Sequence, residues 1–530
     1  MSSTETRKWW ALGAIGLSLL AVGVDSTILN VAVPTISSDL GASTSQLQWI
    51  VDSFTLVLAA VLLPAGLLGD KYGRKKFLLA ALILFGVASL ACAYSSTATE
   101  LIASRALLGL AGAFLVPLST SVLLNIFESE EERTKAITVV AISTMLGLPL
   151  GPIVGGALLN HFWWGSVFLV NVPLVALGSF AVAKLVPESR GNAGIGIDYV
   201  GVLISSLGLT AITYGTIEAG VRGWGDTVVV LAIVGGALAL VLFTFWERRV
   251  TAAGGSPLVD LELFRSRGFV WGSVLATVVS FAMFGLIFAL PQYYQAVLGT
   301  DALGTGLRLL PLIGGLLVGA SVINKLPAQL GPRAVPALGF VLMGVGLFIG
   351  MATSTTSGYG FIAIWLTIIG AGLGMSLTRT MAAALNSLSK ERSGVGSAFT
   401  QAVRQVGGAI GVAVLGSAAN TTYRGHLDLG QSPQQIQDAA GRSPAAGVAV
   451  AAKLKSQTVL DAVRDAFVIA MHTVLLACGV IVVVAAVLAL VFLPKRAALP
   501  QDGDDTAASA ASEGGDPGGP PPGRASGSLA

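Results

Sequence analysis

Charged residues are scarce in this sequence: Asp, Glu, Lys and Arg make up 11% of its 530 residues. A soluble domain carries about 25%. With a mean hydropathy of +0.80, the chain has too little charge to cover a folded core in water, so most of its solvent is lipid. Only two cysteines occur, Cys92 and Cys478, both inside apolar runs. That placement suits small buried hydrophobes and excludes a disulfide framework or thiolate metal site. The three histidines, His161, His426 and His472, fall near loops or segment ends. No His, Ser and Asp cluster or metal set gathers at one depth, and no enzyme is expected. A glycine-rich loop closed by Lys and Ser or Thr is missing, which excludes an ATP-driven pump. No basic stripe invites nucleic acid, and no alternating polar and apolar runs offer the strands of a membrane barrel. No cofactor is expected.

Long apolar runs are present instead. About fourteen segments begin near Trp9, Leu47, Phe77, Leu101, Ala136, Gly165, Asp198, Thr227, Gly268, Gly304, Ala334, Gly358, Gly396 and Phe467. Each is long enough to span a bilayer as a helix, and helices satisfy their own backbone groups in lipid. Arg7 and Lys8 before the first run resemble the start of a signal peptide. The run is too long and lacks a cleavage site, so it is expected to remain as the first helix. Arg105, Arg308 and Arg404 lie within segments, and Arg222, Arg424, Arg442, Lys453, Lys455 and Arg464 fall on one side. Every other Lys and Arg falls on the opposite side, which places both termini in the cytoplasm.

The first segment holds one carboxylate, Asp25. At that depth it costs about 2.5–3.5 kcal/mol on insertion scales. It is expected to handle a proton or cation, or else to serve as a structural partner of Arg105. At about 1.5 Å per residue, Asp25 lies in the outer half of its helix, Asp52 near the outer end of the second, and Arg105 about one turn into the fourth. The three are expected to converge, with Asp25 holding the proton and Arg105 tuning it. Asp52 is a second acidic site or a wetted helix end. Glu218, Arg308 and Arg404 are secondary candidates; the arginines line a cavity or bind backbone carbonyls. Phe281, Met283, Phe284, Phe288, Tyr293 and Tyr294 form an apolar pocket or ordinary packing. The segments of the second half hold no acid, which favours monovalent lipophilic cations or neutral compounds as cargo.

Two glycine strings carry more information. In the run from Gly66 to Lys76, Gly66, Gly69 and Gly73 allow close approach and a tight turn, and Asp70 can hold Arg74 as a cytoplasmic latch. In the fifth segment, Gly147, Gly151 and Gly155 share one helix face, with Pro152 and Gly156 beside them. The first string is similar to the signature loop of the major facilitator superfamily; the second resembles the antiporter motif of its drug exporters. Leu101, Arg105 and Gly109 resemble the family's arginine motif, with Leu108 where glutamine is usual. The runs Asp25 to Pro34, Trp164 to Pro173, Leu290 to Gly299, Gly306 to Pro311 and Arg404 to Gly408 resemble its fourteen-helix branch. In the second of these, Gly165 and Ser166 replace the branch's basic and aromatic residues.

The chain thus resembles the fourteen-helix drug:proton antiporters. The resemblance implies an all-α major facilitator fold with 14 transmembrane helices in a 6+2+6 order. Residues 1–190 and 268–494 would be the two halves, and 191–267 two inserted helices. A polar outer loop would cover about 419–466, and 495–530 has the composition of a disordered cytoplasmic tail. The implied activity is export of lipophilic, cationic drugs or toxic compounds by alternating access, driven by the proton gradient across the cell (inner) membrane. Small substrates, protons and lipid are the implied partners, with a monomer as the working unit. The glycine string of the fifth segment would be a hinge and seal against proton leak. A dedicated cargo such as an endogenous antibiotic, amino acid or siderophore is the alternative, since fold does not fix cargo. A membrane sensor is a remote third.

Overall fold

The structure is a computed structural model that describes residues 3–42, 44–127, 129–190, 198–255, 257–259, 261–323, 331–386, 388, 393–430, 432–441 and 443–494. The described residues form helices and no strand. They are α1 (Ser3–Leu40), α2 (Thr44–Tyr72), α3 (Arg74–Ala93), α4 (Ala98–Ile126), α5 (Glu130–Leu159), α6 (Ser166–Leu169), α7 (Asn171–Leu185), α8 (Tyr199–Arg222) and α9 (Thr227–Ala252). Then come α10 (Arg267–Gln292), α11 (Ala302–Arg308), α12 (Leu310–Val322), α13 (Gly331–Gly350), α14 (Tyr359–Leu385), α15 (Ser393–His426), α16 (Gln434–Ala440), α17 (Pro444–Leu454) and α18 (Gln457–Phe492). Among the described residues, 13 helical stretches are long and apolar enough to cross a membrane. The remaining expected segment coincides with α5, a 30-residue helix.

Many helix starts are written in short polar side chains. Thr97 Oγ1 accepts from Glu100 N at 3.2 Å, while Glu100 Oε2 accepts from Ser96 N at 2.7 Å. The first satisfies an amide that the first turn of α4 leaves without a helical partner, and the second ties down the residue before the cap. Ser129 caps α5, Asp226 caps α9 and Ser266 caps α10 in the same way.

Residues Met1–Ala497 form one compact unit. In its first part α1 packs along α5, α2 along α4, and α3 between α4 and α7. In its last part α14 packs between α12 and α13, α10 along α15, and α18 against α13 and α15. The two parts meet where α15 lies on α2 and α4, and where α5 lies on α11 and α14. Among the described residues, Ser397 makes polar contacts across the first seam. Ser397 Oγ lies 3.2 Å from Ser121 Oγ and 3.2 Å from the Pro117 carbonyl of α4.

Helices α8 and α9 pair with each other, and α8 leans on α2 and α15. Leu231, Leu238, Leu242 and Phe245 of α9 are exposed, as a lipid-facing helix requires. Asp198 caps α8 at Gly201 N and takes the Trp246 indole N–H at 2.8 Å. Glu247 accepts Val259 N at 3.3 Å, so this clasp also holds the chain that enters α10.

The loop expected over about 419–466 is shorter. Helix α15 continues to His426, and α18 begins at Gln457 behind a Ser456 cap. Residues 427–456 then hold α16 and α17, which pack on each other while α17 rests on α18. The tail expected to be disordered, 495–530, and residues 324–330 lie outside the described residues.

Candidate functional site

Asp25 is fully buried, and both of its oxygens are engaged. One accepts from Arg105 Nη1 in an ion pair, and the other accepts Asn171 Nδ2 at 3.0 Å. Asn171 Nδ2 also lies 3.4 Å from Ser89 Oγ. Arg105 donates its Nε to the Ile50 carbonyl at 3.1 Å, and its guanidinium sits 4.8 Å from the Phe54 ring centroid and 6.0 Å from that of Phe168. Helices α1, α2, α3, α4 and α7 thereby meet at one desolvated charge pair. Burying a pair is tolerated only with good geometry and added hydrogen bonds, and here Asn171 and the Ile50 carbonyl supply them. Asn171, Ser89, Phe54 and Phe168 were not singled out from sequence.

Asp52 does not join that pair, which corrects the expected three-way convergence. Ile50 and Phe54 stand four residues apart on α2 and turn one helix face to Arg105. Asp52, halfway between them, projects from the opposite face at about 100° per residue. There it meets α8. Trp49, one turn from Asp52, stacks with Tyr214 at 6.3 Å, and Glu218 is the charged neighbour of Asp52. Glu218 itself accepts from Arg222 Nε at 2.5 Å, one turn along α8.

Beside Asp25, α5 presses on α1 through its glycines. A Cβ at Gly147 would strike the backbone of Gly23 and Val24, and one at Gly151 would strike Thr27 Oγ1, Ile28 N and Val24 O. A Cβ at Gly155 would meet Ile28. The seam therefore runs along the turn that carries Asp25. The helix continues through Pro152. Gly156 does not face α1: it points at Leu303 of α11, and Gly306 returns the contact to Ile153.

In the glycine string that begins at Gly66, Asp70 and Arg74 pair as expected. Asp70 Oδ1 accepts Arg74 Nε at 2.6 Å, and both side chains are buried. Gly66 is buried within α2, and Gly69 abuts Leu118 of α4. Gly73 adopts φ 124°, which an L side chain rarely takes. A Cβ there would also meet the Glu188 carboxylate. Glu188 accepts Lys75 N at 3.1 Å, a contact that the sequence reading did not anticipate.

The expected aromatic pocket is not one pocket, a second correction. The Phe284 and Phe288 rings pack on Gly408 and Gly416 of α15, and the Phe281 backbone packs on Gly411. Met283 turns to the other face of α10, into a small apolar gap with Leu312 and Met343. Tyr293 and Tyr294 are buried in a π-turn beyond α10 and donate to Ser354 O at 2.8 Å and Arg308 O at 3.4 Å. Arg308 is half-buried at the end of α11. Arg404 reaches from α15 to α10 and α14: Nε donates to Ser280 Oγ at 3.1 Å, and Nη1 lies 3.1 Å from Gln401 Oε1 and 3.8 Å from Met381 Sδ.

Apolar helices in two bundles, a desolvated acid and arginine inside one of them, and a glycine seam against the acid's own helix define a polytopic membrane transporter. Residues 15–412 match the family model of the Major Facilitator Superfamily, and the chain belongs to that superfamily. It is 34% identical over 474 residues to the "Multidrug efflux pump LfrA" of Mycolicibacterium smegmatis, covering 88% of this chain and 92% of that one. It is 32% identical over 469 residues to the "Methyl viologen resistance protein SmvA" of Salmonella typhimurium, covering 87% and 93%. The solved proton:xylose symporter XylE, bound to 6-bromo-6-deoxy-D-glucose, shares its fold with a TM-score of 0.60 at 14% identity, over 93% of this chain and 97% of that one.

Proposed function

We propose that this chain exports lipophilic drugs or toxic compounds, cations among them, in exchange for protons. The observation that carries this reading is the position of Asp25, the buried partner of Arg105 on the helix turn against which Gly147 and Gly151 pack. A proton on Asp25 removes the charge that holds Arg105. The side chain then reorients, and α1 is free to shift along its glycine seam with α5. Proton binding and helix packing are thereby linked, and rocking of two halves about a central site converts that link into transport. Each charge moving down about 100 mV supplies about 2.3 kcal/mol. Asp52 and Glu218, between α2 and α8, form a second acidic locus for proton or cationic cargo.

Similarity to two proteins named for drug efflux and methyl viologen resistance supports the cargo class. Methyl viologen is a dication, so the second relative widens the class beyond the monovalent cations expected from sequence. We read the molecule as a monomer with fourteen crossings, α5 among them, two six-helix halves and both termini in the cytoplasm of a cell whose inner membrane holds the gradient. The one-sided distribution of Lys and Arg supports that orientation. The test is ethidium uptake into everted membrane vesicles carrying the full chain. Uptake that appears on energisation and collapses with a protonophore is expected. Uptake indifferent to the protonophore would contradict proton coupling.

A further inference from the structure

We propose that Arg404 recognises an acidic group, a carboxylate above all, on the cargo, so that lipophilic acids and zwitterions are carried as well as cations. This deepens the exporter reading and rests on it.

Arg404 is a cation deep among helices, and among the described residues it has no carboxylate partner. Its three contacts are a hydroxyl, an amide oxygen and a thioether sulfur, all neutral. A guanidinium has five N–H donors and accepts none. Those on Nη2 meet no acceptor among the described residues, and the side chain stays partly accessible despite its depth. The buried arginine of the first bundle is treated differently: Arg105 has Asp25 against it and is almost completely buried. An unpaired charge inside a membrane bundle is costly and marks a functional place.

Its position fits cargo rather than packing. Ser397 lies seven residues earlier on α15, two turns away and so on the same face. Ser397 is the residue that bonds Ser121 and the Pro117 carbonyl of α4 across the seam between the two bundles. Arg404 therefore stands about 10 Å further along α15, two turns from the seam contact, where it touches α10 and α14. The geometry of its donors selects the ligand. Nη2 is free among the described residues, and releasing the long 3.8 Å contact of Nη1 with Met381 Sδ gives the guanidinium two parallel N–H groups that match a carboxylate in a paired, charge-assisted arrangement. Among the described residues no acid of the second bundle competes for it: Asp301, Asp428, Asp438, Asp461 and Asp465 lie in loops or toward the ends of helices.

The test compares two radiolabelled probes in everted vesicles with the full chain, the lipophilic carboxylate fusidate and the lipophilic cation tetraphenylphosphonium. Wild type is expected to take up both under a proton gradient. Arg404→Gln is expected to lower the ratio of fusidate to tetraphenylphosphonium uptake about tenfold, and Arg404→Lys, which keeps the charge but not the fork, about threefold. A purely structural role would lower both probes together, so a ratio within about twofold of wild type in Arg404→Gln overturns the proposal. If Arg404→Gln does not reach the membrane, fusidate binding to purified Arg404→Lys decides: a dissociation constant equal to that of wild type overturns it. Wild-type uptake of tetraphenylphosphonium without fusidate also overturns it while leaving the exporter reading intact. Uptake of neither probe removes both.

Discussion

At the scale of single residues, Asp25 and Arg105 hold each other in a place where neither is stable alone. Removing one partner of a buried pair leaves the other uncompensated, typically at about 3–5 kcal/mol. Arg105→Gln in the purified protein is therefore expected to lower the apparent melting temperature markedly, and adding Asp25→Asn to restore much of the loss. A single variant that melts like wild type would show that the pair is not desolvated. The pair itself was legible in the sequence, because counting residues along apolar runs put both groups at one depth. Asp52 was not, because depth says nothing of azimuth: Ile50 and Phe54 face Arg105 while Asp52 turns to Glu218. Asn171 was hidden for a different reason. Its run, Trp164 to Pro173, read as a branch motif without a role for Asn171, and only the folded chain brings it to Asp25 across 146 residues.

At the scale of elements, the α1 and α5 seam is a backbone contact and tolerates no side chain. Gly151→Ala places a methyl group onto Thr27 Oγ1 and the Ile28 amide, and transport is expected to fall at least tenfold while helical circular dichroism is kept. Gly156→Ala meets only Leu303 at ordinary packing distance, 3.5 Å and beyond, and is expected to retain activity within about twofold. Equal loss in both would mean that the string acts through general helix packing rather than through α1. The four-residue spacing made the shared face of Gly147, Gly151 and Gly155 readable. It could not show that Gly156 belongs to a different neighbour. The clasp of Asp198, Trp246 and Glu247 was likewise unreadable, since Glu247 sits among Trp246, Arg248 and Arg249 like any interfacial residue, and its partner Val259 lies in a loop. An amide at position 247 can still accept from Val259. Glu247→Gln is therefore expected to keep the apparent melting temperature, and Glu247→Leu to lower it.

At the scale of the whole molecule, two bundles meet along narrow seams, and transport requires those seams to open. The Ser121 and Ser397 hydroxyls, 3.2 Å apart, mark one of them. Cysteines at both positions are expected to cross-link under oxidation and stop uptake, with reductant restoring it; the native Cys92 and Cys478 are buried and unpaired. Full activity of the cross-linked protein would mean that this seam stays closed throughout the cycle. The central claim is that cargo and proton are linked through Asp25. It is tested most directly by measuring proton release from detergent-purified protein when a cationic drug is added, wild type against Asp25→Asn. The account predicts release from wild type and none from the variant. Release of equal size from Asp25→Asn would contradict it and move the proton to Asp52 or Glu218.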